Sequence, residues 1–594
     1  MCGIFGYVGH KTNASQIVLD GLKLLEYRGY DSWGIAYKIK NQKSKIKNRF
    51  EVEKHVGKIG DAKLKSQEDS SLAVGHTRWA THGGVTKKNA HPHLDCTGTI
   101  SVVHNGIVEN FEELKKDLIK KGHKFISETD TETIPHLIEE FFKKKGFTSA
   151  VRDAFNKLKG LNAIVVANAN SLEIIAAKNG SPLVIGITKN GFLISSDVSG
   201  LSSHTNKIIF LEDDQMAVLN KKIIIMSLAT GDNIKAKIEK IDFKISHASR
   251  SGFDHFMIKE ISEQPDIIRN IARNYDKQIE SFSKMVENAR GTFFIGAGTA
   301  YYAALAGVYL FSRAVHKHVN TSVASEFNYL EHFLTKDSLV IALSQSGETI
   351  DVIEPLNRAR ERGSKIGAIT NSQGSSIYRM SDFNILLNAG VETAVASTKA
   401  YTAKLSVLLL LVFSMTSKLS EGKQILEKTA DEVDRLLDKK NVDMIKKLAV
   451  KLKGSKGIYA IGRGVSFSSA LETALKIKEV SYISSEGLAG GELKHGPIAL
   501  IENGTPCVVF APNDETYDSI ISNAMEVKSR GGFTIGVSHK NSNAFEYWIK
   551  VEDLKDGSFI AQIVPIQLLA YFLALERKLD PDKPRNLAKS VTVK

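Results

Sequence analysis

The sequence predicts an α+β domain built on sheets, followed by two α/β domains with parallel sheets, and three observations lead there. At 594 residues and 42% hydrophobic content the chain is long enough for several cored domains. Its first 230 residues carry short β-type runs separated by amphipathic segments, and its second half repeats itself.

The β-type runs are Leu72-Ala73-Val74-Gly75, Ile100-Ser101-Val102-Val103, Ala163-Ile164-Val165-Val166 and Leu183-Val184-Ile185. Between them, Phe111, Leu114 and Leu118 recur at helical spacing over 110–121. From about 236 to 285 the sequence turns polar and charged, including the stretch 246–252, and reads as a linker leading to helices. Beyond it, Phe293-Phe294-Ile295-Gly296-Ala297-Gly298 is echoed by Ile458-Tyr459-Ala460-Ile461-Gly462-Arg463-Gly464, an offset of 166 residues. Val340-Ile341-Ala342-Leu343 is echoed in the same way by Val508-Val509-Phe510-Ala511. These signals divide the chain into a first domain over 2–230, a linker over 231–285, α/β domains over 286–425 and 445–584, and a tail over 585–594.

The net charge of +13 comes from lysines spread along the chain, so it predicts a solvated basic surface and no nucleic-acid module. Such a field favours small acidic substrates. Cys2, Cys96 and Cys507 have neither disulfide-framework nor zinc-ligand spacing, which predicts a reducing compartment and no metal. The start lacks the basic and apolar segments of a secretory leader. The longest apolar run, about Leu405 to Met415, is too short for a bilayer and reads as a buried helix. A cytoplasmic protein with no membrane partner is the expectation.

Three places carry chemistry. If Met1 is removed, Cys2 combines a thiol with an α-amine titrating near ~7.7–8.0, so that one residue supplies nucleophile and base. Ser344-Gln345-Ser346-Gly347-Glu348-Thr349 lies between an apolar strand and a helix, where hydroxyls and free N–H groups can converge on a phosphate. Its counterpart, Pro512-Asn513-Asp514-Glu515-Thr516, is acidic and would repel one. The Gly-x-Gly turns lack the full dinucleotide spacing and read as tight turns of a sugar-phosphate domain. Glu472, Lys476 and Glu479 are four and three apart, hence on one helix face, which by spacing alone is a solvated salt-bridge ladder.

The N-terminal start, together with 27–32, 76–83, 104–106 and 127–132, resembles the N-terminal-nucleophile glutamine amidotransferases. Added to 343–349, 396–400, 491–497 and 584–593, these motifs resemble, over nearly the whole chain, the isomerising glutamine–fructose-6-phosphate aminotransferase family. The resemblance implies a four-layer αββα glutaminase domain and two sugar isomerase (SIS) domains, working as a homodimer on L-glutamine and D-fructose 6-phosphate without metal or organic cofactor. It implies Cys2 as nucleophile, with Asn105 and Gly106 as oxyanion donors. Arg78 would take the glutamine carboxylate and Asp130 its ammonium, with Thr81 and His82 alongside. Arg28 would stand near the nucleophile, and Trp79 would gate an internal ammonia path. In the sugar half it implies Glu479 as the C1–C2 proton shuttle, Lys476 as its partner, His495 in ring opening and Lys589 as the Schiff-base lysine. Lys589 would need a desolvated or cation-rich pocket to lower its pKa. Thr299, Ser344, Gln345, Ser346, Thr349, Val395 and Ser397 would line the sugar-phosphate pocket.

Gly298-Thr299-Ala300 departs from the pattern, which usually has serine after Gly-Thr, so one hydroxyl contact to the sugar is absent. Two alternatives stay open: an amidotransferase of the same type acting on another phosphorylated sugar, and a sugar-phosphate sensor without turnover. Intact Cys2, Glu479, His495 and Lys589 oppose the second.

Overall fold

The computed structural model describes residues 2–39, 48–64, 69–241 and 250–591. Met1, whose removal the Cys2 reading requires, lies outside them, as do 242–249 of the expected linker and 592–594 of the tail. The chain forms two compact units, one of residues 1–245 with 590–594, the other of 246–589.

The first unit is a pair of antiparallel sheets. One has eight strands in the order Glu239–Lys240, Lys207–Leu211, Leu183–Thr188, Gly191–Ser195, Gly3–Gly9, Ser70–Arg78, Ser32–Ile39 and Glu51–Val56. The other has seven, in the order Asn233–Ile234, Ile223–Ser227, Gln215–Leu219, Glu173–Lys178, Asn162–Asn168, Ile100–Gly106 and His93–Leu94. Side chains alternate along each strand, so the sheets bury both faces. Ile4, Val74, Val103 and Val165 fill the space between the sheets. Phe5, Trp33 and Ile35 pack outward under the helix Ala14–Leu24. Val102, Ile164 and Ile175 pack outward under the helices Thr133–Phe142 and Phe147–Phe155. The result is the four-layer αββα arrangement.

The second unit holds two five-stranded parallel sheets of identical strand order. They run Val319–Val323, Gly291–Gly296, Ser338–Ser344, Lys365–Thr370, Phe383–Leu386 and, in the second copy, Ser484–Ala489, Gly457–Gly462, Pro506–Ala511, Phe533–Ser538, Tyr547–Lys550. The duplication extends to single dihedrals: Gly298 and Gly464 both have φ of 53°, a left-handed turn that favours glycine between strand and helix. One apolar cluster joins the copies through Leu408, Leu409, Ile477, Leu568 and Leu573.

Two expectations are corrected. Most of the presumed linker over 231–285 is regular structure: the helices Phe256–Ser262, Gln264–Asn274 and Asp276–Asn288 bury Met257, Ile261, Ile268, Ile271, Ile279 and Phe282 in the isomerase core. Charges on the solvent face hid that apolar stripe. Lys555–Glu576 is a longer apolar stretch than 405–415, with mean hydropathy 1.8 and length enough for a bilayer by composition. It is buried in the core, where Gln567 accepts a 2.7 Å hydrogen bond from Gln264.

Candidate active sites

Cys2 sits at the start of the strand Gly3–Gly9, which is pinned by hydrogen bonds from Gly3 N–H to Thr77 Oγ1 (3.0 Å) and from Ile4 N–H to Ser196 Oγ (3.0 Å). Its sulfur receives the Trp79 N–H at 3.2 Å. Burial pushes the thiol up, while the Trp79 N–H, Arg78 and Arg28 pull it down. Arg28 is buried and donates to the Cys2 carbonyl at 3.2 Å and to Asp197 at 2.9 Å. Asn105, near the end of the strand Ile100–Gly106, points its amide NH₂ at the Cys2 carbonyl, 3.1 Å away.

That orientation has a cause which the motif alone did not reveal. His76 Nε2 lies 3.0 Å from the His104 carbonyl and 3.1 Å from Asn105 Oδ1. Two acceptors require Nε2–H as donor, and this holds the amide with its nitrogen toward Cys2. Gly106, beside it, is partnered with Asn162 across the sheet.

Arg78 ends the strand Ser70–Arg78, buried, with hydrogen bonds to the carbonyls of His82, Gly83 (3.0 Å) and Gly84 (3.1 Å). Burial disfavours its charge, and Cys2, Asp31 and Asp130 partly oppose that, so all three lie within its electrostatic reach. Asp130 accepts the Val108 N–H at 2.7 Å. Thr81 is exposed, and His82 is half-buried with its ring edge-on to Phe111 at 5.0 Å. Trp79 is half-buried, edge-on to Tyr30 at 5.9 Å, and is not a core aromatic.

In the second unit, the helix Ser466–Ser481 turns its charged stripe inward, so the solvated-ladder reading fails. Lys476 Nζ lies 2.5 Å from Glu479 and 3.6 Å from Glu472. Glu472 is fully buried, receives Thr299 Oγ1 at 3.3 Å, and is pushed up to about 8 by burial, with Lys476 opposing and Glu479 adding. Burial thus favours its neutral form. Glu479 retains 19% side-chain exposure, enough to meet a ligand.

Lys589 folds into the protein. Its ammonium lies 2.6 Å from Glu392 and 2.8 Å from the Ala394 carbonyl. Glu392 also accepts from Ser397 Oγ (3.0 Å) and the N–H groups of Thr398 (2.9 Å) and Ala400 (3.1 Å). Burial would raise Glu392, but Lys589 and Lys404 hold it well below the usual carboxylate range. Of the two environments expected, desolvated or cation-rich, the pocket has the first, with Lys589 3% exposed, and the group directly against it is a carboxylate. Lys404, buried nearby, is lowered to about 8, first by burial. Sequence reading missed Glu392, four residues before the Ala396–Ala400 motif; its acidic side chain in an otherwise small and apolar run was the available signal.

The Ser344–Thr349 loop leads into the helix Ile350–Glu361. Ser344 Oγ accepts the Gly347 N–H at 3.0 Å and Ser346 Oγ the Glu348 N–H at 3.2 Å. Thr349 is the N-cap residue without a side-chain cap bond, and Gln345, Ser346 and Thr349 are half-buried. Gly347 has φ of 66°, and a Cβ there would fall 2.0 Å from Ser375 Oγ, so the tight loop needs glycine. In the second copy Asp514 already occupies the helix start, bonding Thr516 N–H at 2.9 Å and Thr516 Oγ1 at 2.6 Å. Val395 is tied to the Asp582 carbonyl at 3.0 Å. Ala300, the departure from the family pattern, packs in the apolar core. His495, itself exposed, ends a turn over Gly490–His495 that buries Gly490 and Leu493, and no hydrogen bond or ion pair joins it to the Glu472–Lys476–Glu479 stripe.

These features define a glutamine amidotransferase carrying a duplicated SIS domain. The glutamine amidotransferase domain family matches residues 76–203, and the SIS domain family matches 285–414 and 451–546. The glutamine–fructose-6-phosphate aminotransferase [isomerizing] of Thermococcus kodakarensis is 41% identical over 606 residues, covering 100% of both chains. The Clostridium tetani protein of the same description is 40% identical over 616 residues, again over 100% of both. The solved C-terminal domain of glucosamine-fructose-6-phosphate aminotransferase from Francisella tularensis matches at TM-score 0.53 and 31% identity, over 57% of this chain and 100% of that one. The chain belongs to the isomerising glutamine–fructose-6-phosphate aminotransferase family.

Proposed function

We propose that the protein converts D-fructose 6-phosphate and L-glutamine to D-glucosamine 6-phosphate and L-glutamate. The observation that carries this reading is the presence, in one chain of this family, of a thiol site with an oriented amide donor and, in the SIS unit, of a buried lysine–carboxylate pair and a hydroxyl-lined loop. With Met1 removed, Cys2 attacks the glutamine side-chain amide, its α-amine taking the thiol proton. Asn105 Nδ2 and the Gly106 N–H receive the oxyanion, while Arg78 and Asp130 hold the amino-acid end. Ammonia leaves, water hydrolyses the thioester, and glutamate is released. Trp79 guards the ammonia.

In the SIS half the Ser344–Thr349 loop takes the phosphate, with Thr299, Val395 and Ser397 along the sugar. His495 assists ring opening. Lys589 condenses with the C2 ketone, losing water, and ammonia then replaces the lysine at that carbon. Glu479 moves the C1 proton to C2, with Lys476 steadying its charge and the neutral Glu472 steadying Lys476 in turn. Lys589 rests as an ammonium against Glu392, so it must lose a proton before attack, and Glu392 is the nearest acceptor. The chemistry needs no metal and no organic cofactor. We further propose a cytoplasmic homodimer with no nucleic-acid or membrane partner; the exposure of His495 in the single chain supports a second copy covering that turn.

The reading is tested by incubating purified protein with both substrates and detecting products by mass. Glucosamine 6-phosphate and glutamate in equal amounts are expected. In Cys2→Ala, glutamine hydrolysis should fall by about a thousandfold or more, while isomerisation of fructose 6-phosphate to glucose 6-phosphate remains measurable. Glutamate without any amino sugar would point to another phosphorylated acceptor, which Ala300 at the Thr299 turn keeps in view.

A further inference from the structure

Away from both sites, four side chains from three segments of the glutaminase unit turn their donor atoms toward one point. Cys96 lies in the turn after the strand His93–Leu94, and His123 follows the helix Phe111–Lys120. His136 and Glu139 stand three residues apart on the helix Thr133–Phe142. Cys96 Sγ is 3.5 Å from His123 Nδ1 and 3.5 Å from His136 Nδ1. Glu139 Oε2 is 3.2 Å from His123 Nδ1 and 3.7 Å from His136 Nδ1. All four donor atoms fall within 4.8 Å of one another.

The four sulfur–nitrogen and nitrogen–oxygen edges match those of a coordination tetrahedron. An ion about 2.3 Å from sulfur and about 2.0–2.1 Å from nitrogen and oxygen sets sulfur–nitrogen edges of about 3.5 Å and nitrogen–oxygen edges of about 3.3 Å. The outer nitrogens of both rings face carboxylates: His123 Nε2 is 2.9 Å from Glu140 Oε1, and His136 Nε2 is 3.8 Å from Glu132 Oε1. The carboxylate behind His123 places its N–H at Nε2 and leaves the Nδ1 lone pair for a metal, the second shell that metal-bound histidines have, while Glu132 stands behind His136 beyond hydrogen-bond distance. We propose that Cys96, His123, His136 and Glu139 bind one zinc ion as a closed, four-ligand structural site. Thiolate and carboxylate together neutralise the ion's two charges, and thiolate with imidazole is the donor set that favours zinc over magnesium or calcium. The reading of the cysteines alone missed it, because three of the four ligands are not cysteines.

The site has a consequence for glutamine. His123 and His136 bracket Asp130, so the ion would fix both ends of the segment carrying the residue assigned to the substrate ammonium. Its role would be positional, since it touches no substrate.

The test uses the full chain in a Cys2→Ala background, so that the nucleophilic thiol cannot contribute. Protein purified without added metal and dialysed should retain about one zinc per chain by elemental analysis. Cobalt(II) replacing it should show a thiolate-to-metal charge-transfer band with intense tetrahedral d–d bands. Cys96→Ser should abolish the charge-transfer band and weaken zinc binding by more than the ten- to hundredfold that loss of an outer-shell partner costs. His136→Asn, a second variant should the first fail to fold, should lose the tetrahedral spectrum and the rise in glutaminase melting temperature that zinc gives the parent. Wild-type ligands that retain no zinc and give only a weak octahedral cobalt spectrum would overturn the proposal, leaving protons to neutralise the cluster. A cobalt spectrum unchanged in folded Cys96→Ser or His136→Asn would overturn it equally.

Discussion

At Lys589 the structure supplies a burial that sequence position argues against, since the sixth residue from a C-terminus is ordinarily solvated. Its side chain is 3% exposed and paired with Glu392, which is fully buried. Because imine formation needs a neutral amine, the pair must pass its proton onward when substrate arrives. Borohydride added with fructose 6-phosphate should trap a sugar adduct on Lys589, and Lys589→Arg should form none, since a guanidinium keeps the charge without the nucleophile. Glu392→Gln, which keeps shape and removes the acceptor, should lower kcat more than it raises KM. Peptide mapping of the adduct to a different lysine would remove the tail from the chemistry. At the phosphate loop, Thr349 leaves its own helix start uncapped, so simple capping does not explain it. Ser346→Ala with Thr349→Ala should raise the sugar-phosphate KM at least about tenfold, because a hydrogen bond to a charged group contributes about 1.5–3 kcal/mol. An unchanged KM would send the phosphate elsewhere.

Among the elements, strands and helices with a plain period were legible in the sequence, and those whose period was masked by charge were not. The runs at 72–75, 100–103, 163–166 and 183–185 all lie in strands, and 110–121 contains the helix Phe111–Lys120. The repeated Gly-x-Gly turns fixed the parallel sheets because the backbone there permits little else. Spacing placed Glu472, Lys476 and Glu479 on one face but could not say which way the face turned, since burial of charge depends on partners from distant segments. For the same reason the histidines hid their arrangement. His76 stacks on His91 with centroids 4.1 Å apart, and His91 meets His93 at 4.8 Å, all buried. Burial drives His76 down to about 3 and His91 and His93 well below 6.5, with Arg78 facing all three, Lys54 and Glu132 facing His93, and His104 facing His76 and His91. These native pKa values lie below the unfolded one, so as pH falls below 6.5 the unfolded chain takes up protons that the native state does not. Stability of the glutaminase unit should therefore fall by up to about 1.4 kcal/mol per pH unit for each histidine. Between pH 6.5 and 5 its melting transition should drop, while that of the isomerase unit should hold or rise, because Glu472, raised to about 8, binds a proton there that the unfolded chain does not. Glu132, held to about 2, adds its own loss only below about pH 4.5. Parallel movement of both transitions would show that the stack is not the cause.

For the whole molecule the question is what happens to ammonia, which neutral water converts almost wholly to ammonium and so to a non-nucleophile. A product stoichiometry of one amino sugar per glutamate requires that ammonia made at Cys2 reach the sugar without equilibrating with solvent. Trp79 is suited to a part in this because it is joined to the nucleophile through its backbone, 3.2 Å from the sulfur, while its half-buried indole leans on Tyr30. Backbone and side chain can therefore be tested apart. Trp79→Ala keeps the N–H that bonds Cys2 and removes only the ring. Glutamine turnover should persist within a few-fold, and glucosamine 6-phosphate formed per glutamate should fall well below unity. Adding ammonium salt at high pH should restore amino-sugar synthesis in the variant without restoring its coupling to glutamine. A preserved one-to-one ratio would make the indole a packing residue and leave retention of ammonia to other side chains. A collapse of glutamine hydrolysis itself would place the ring in the thiol site instead.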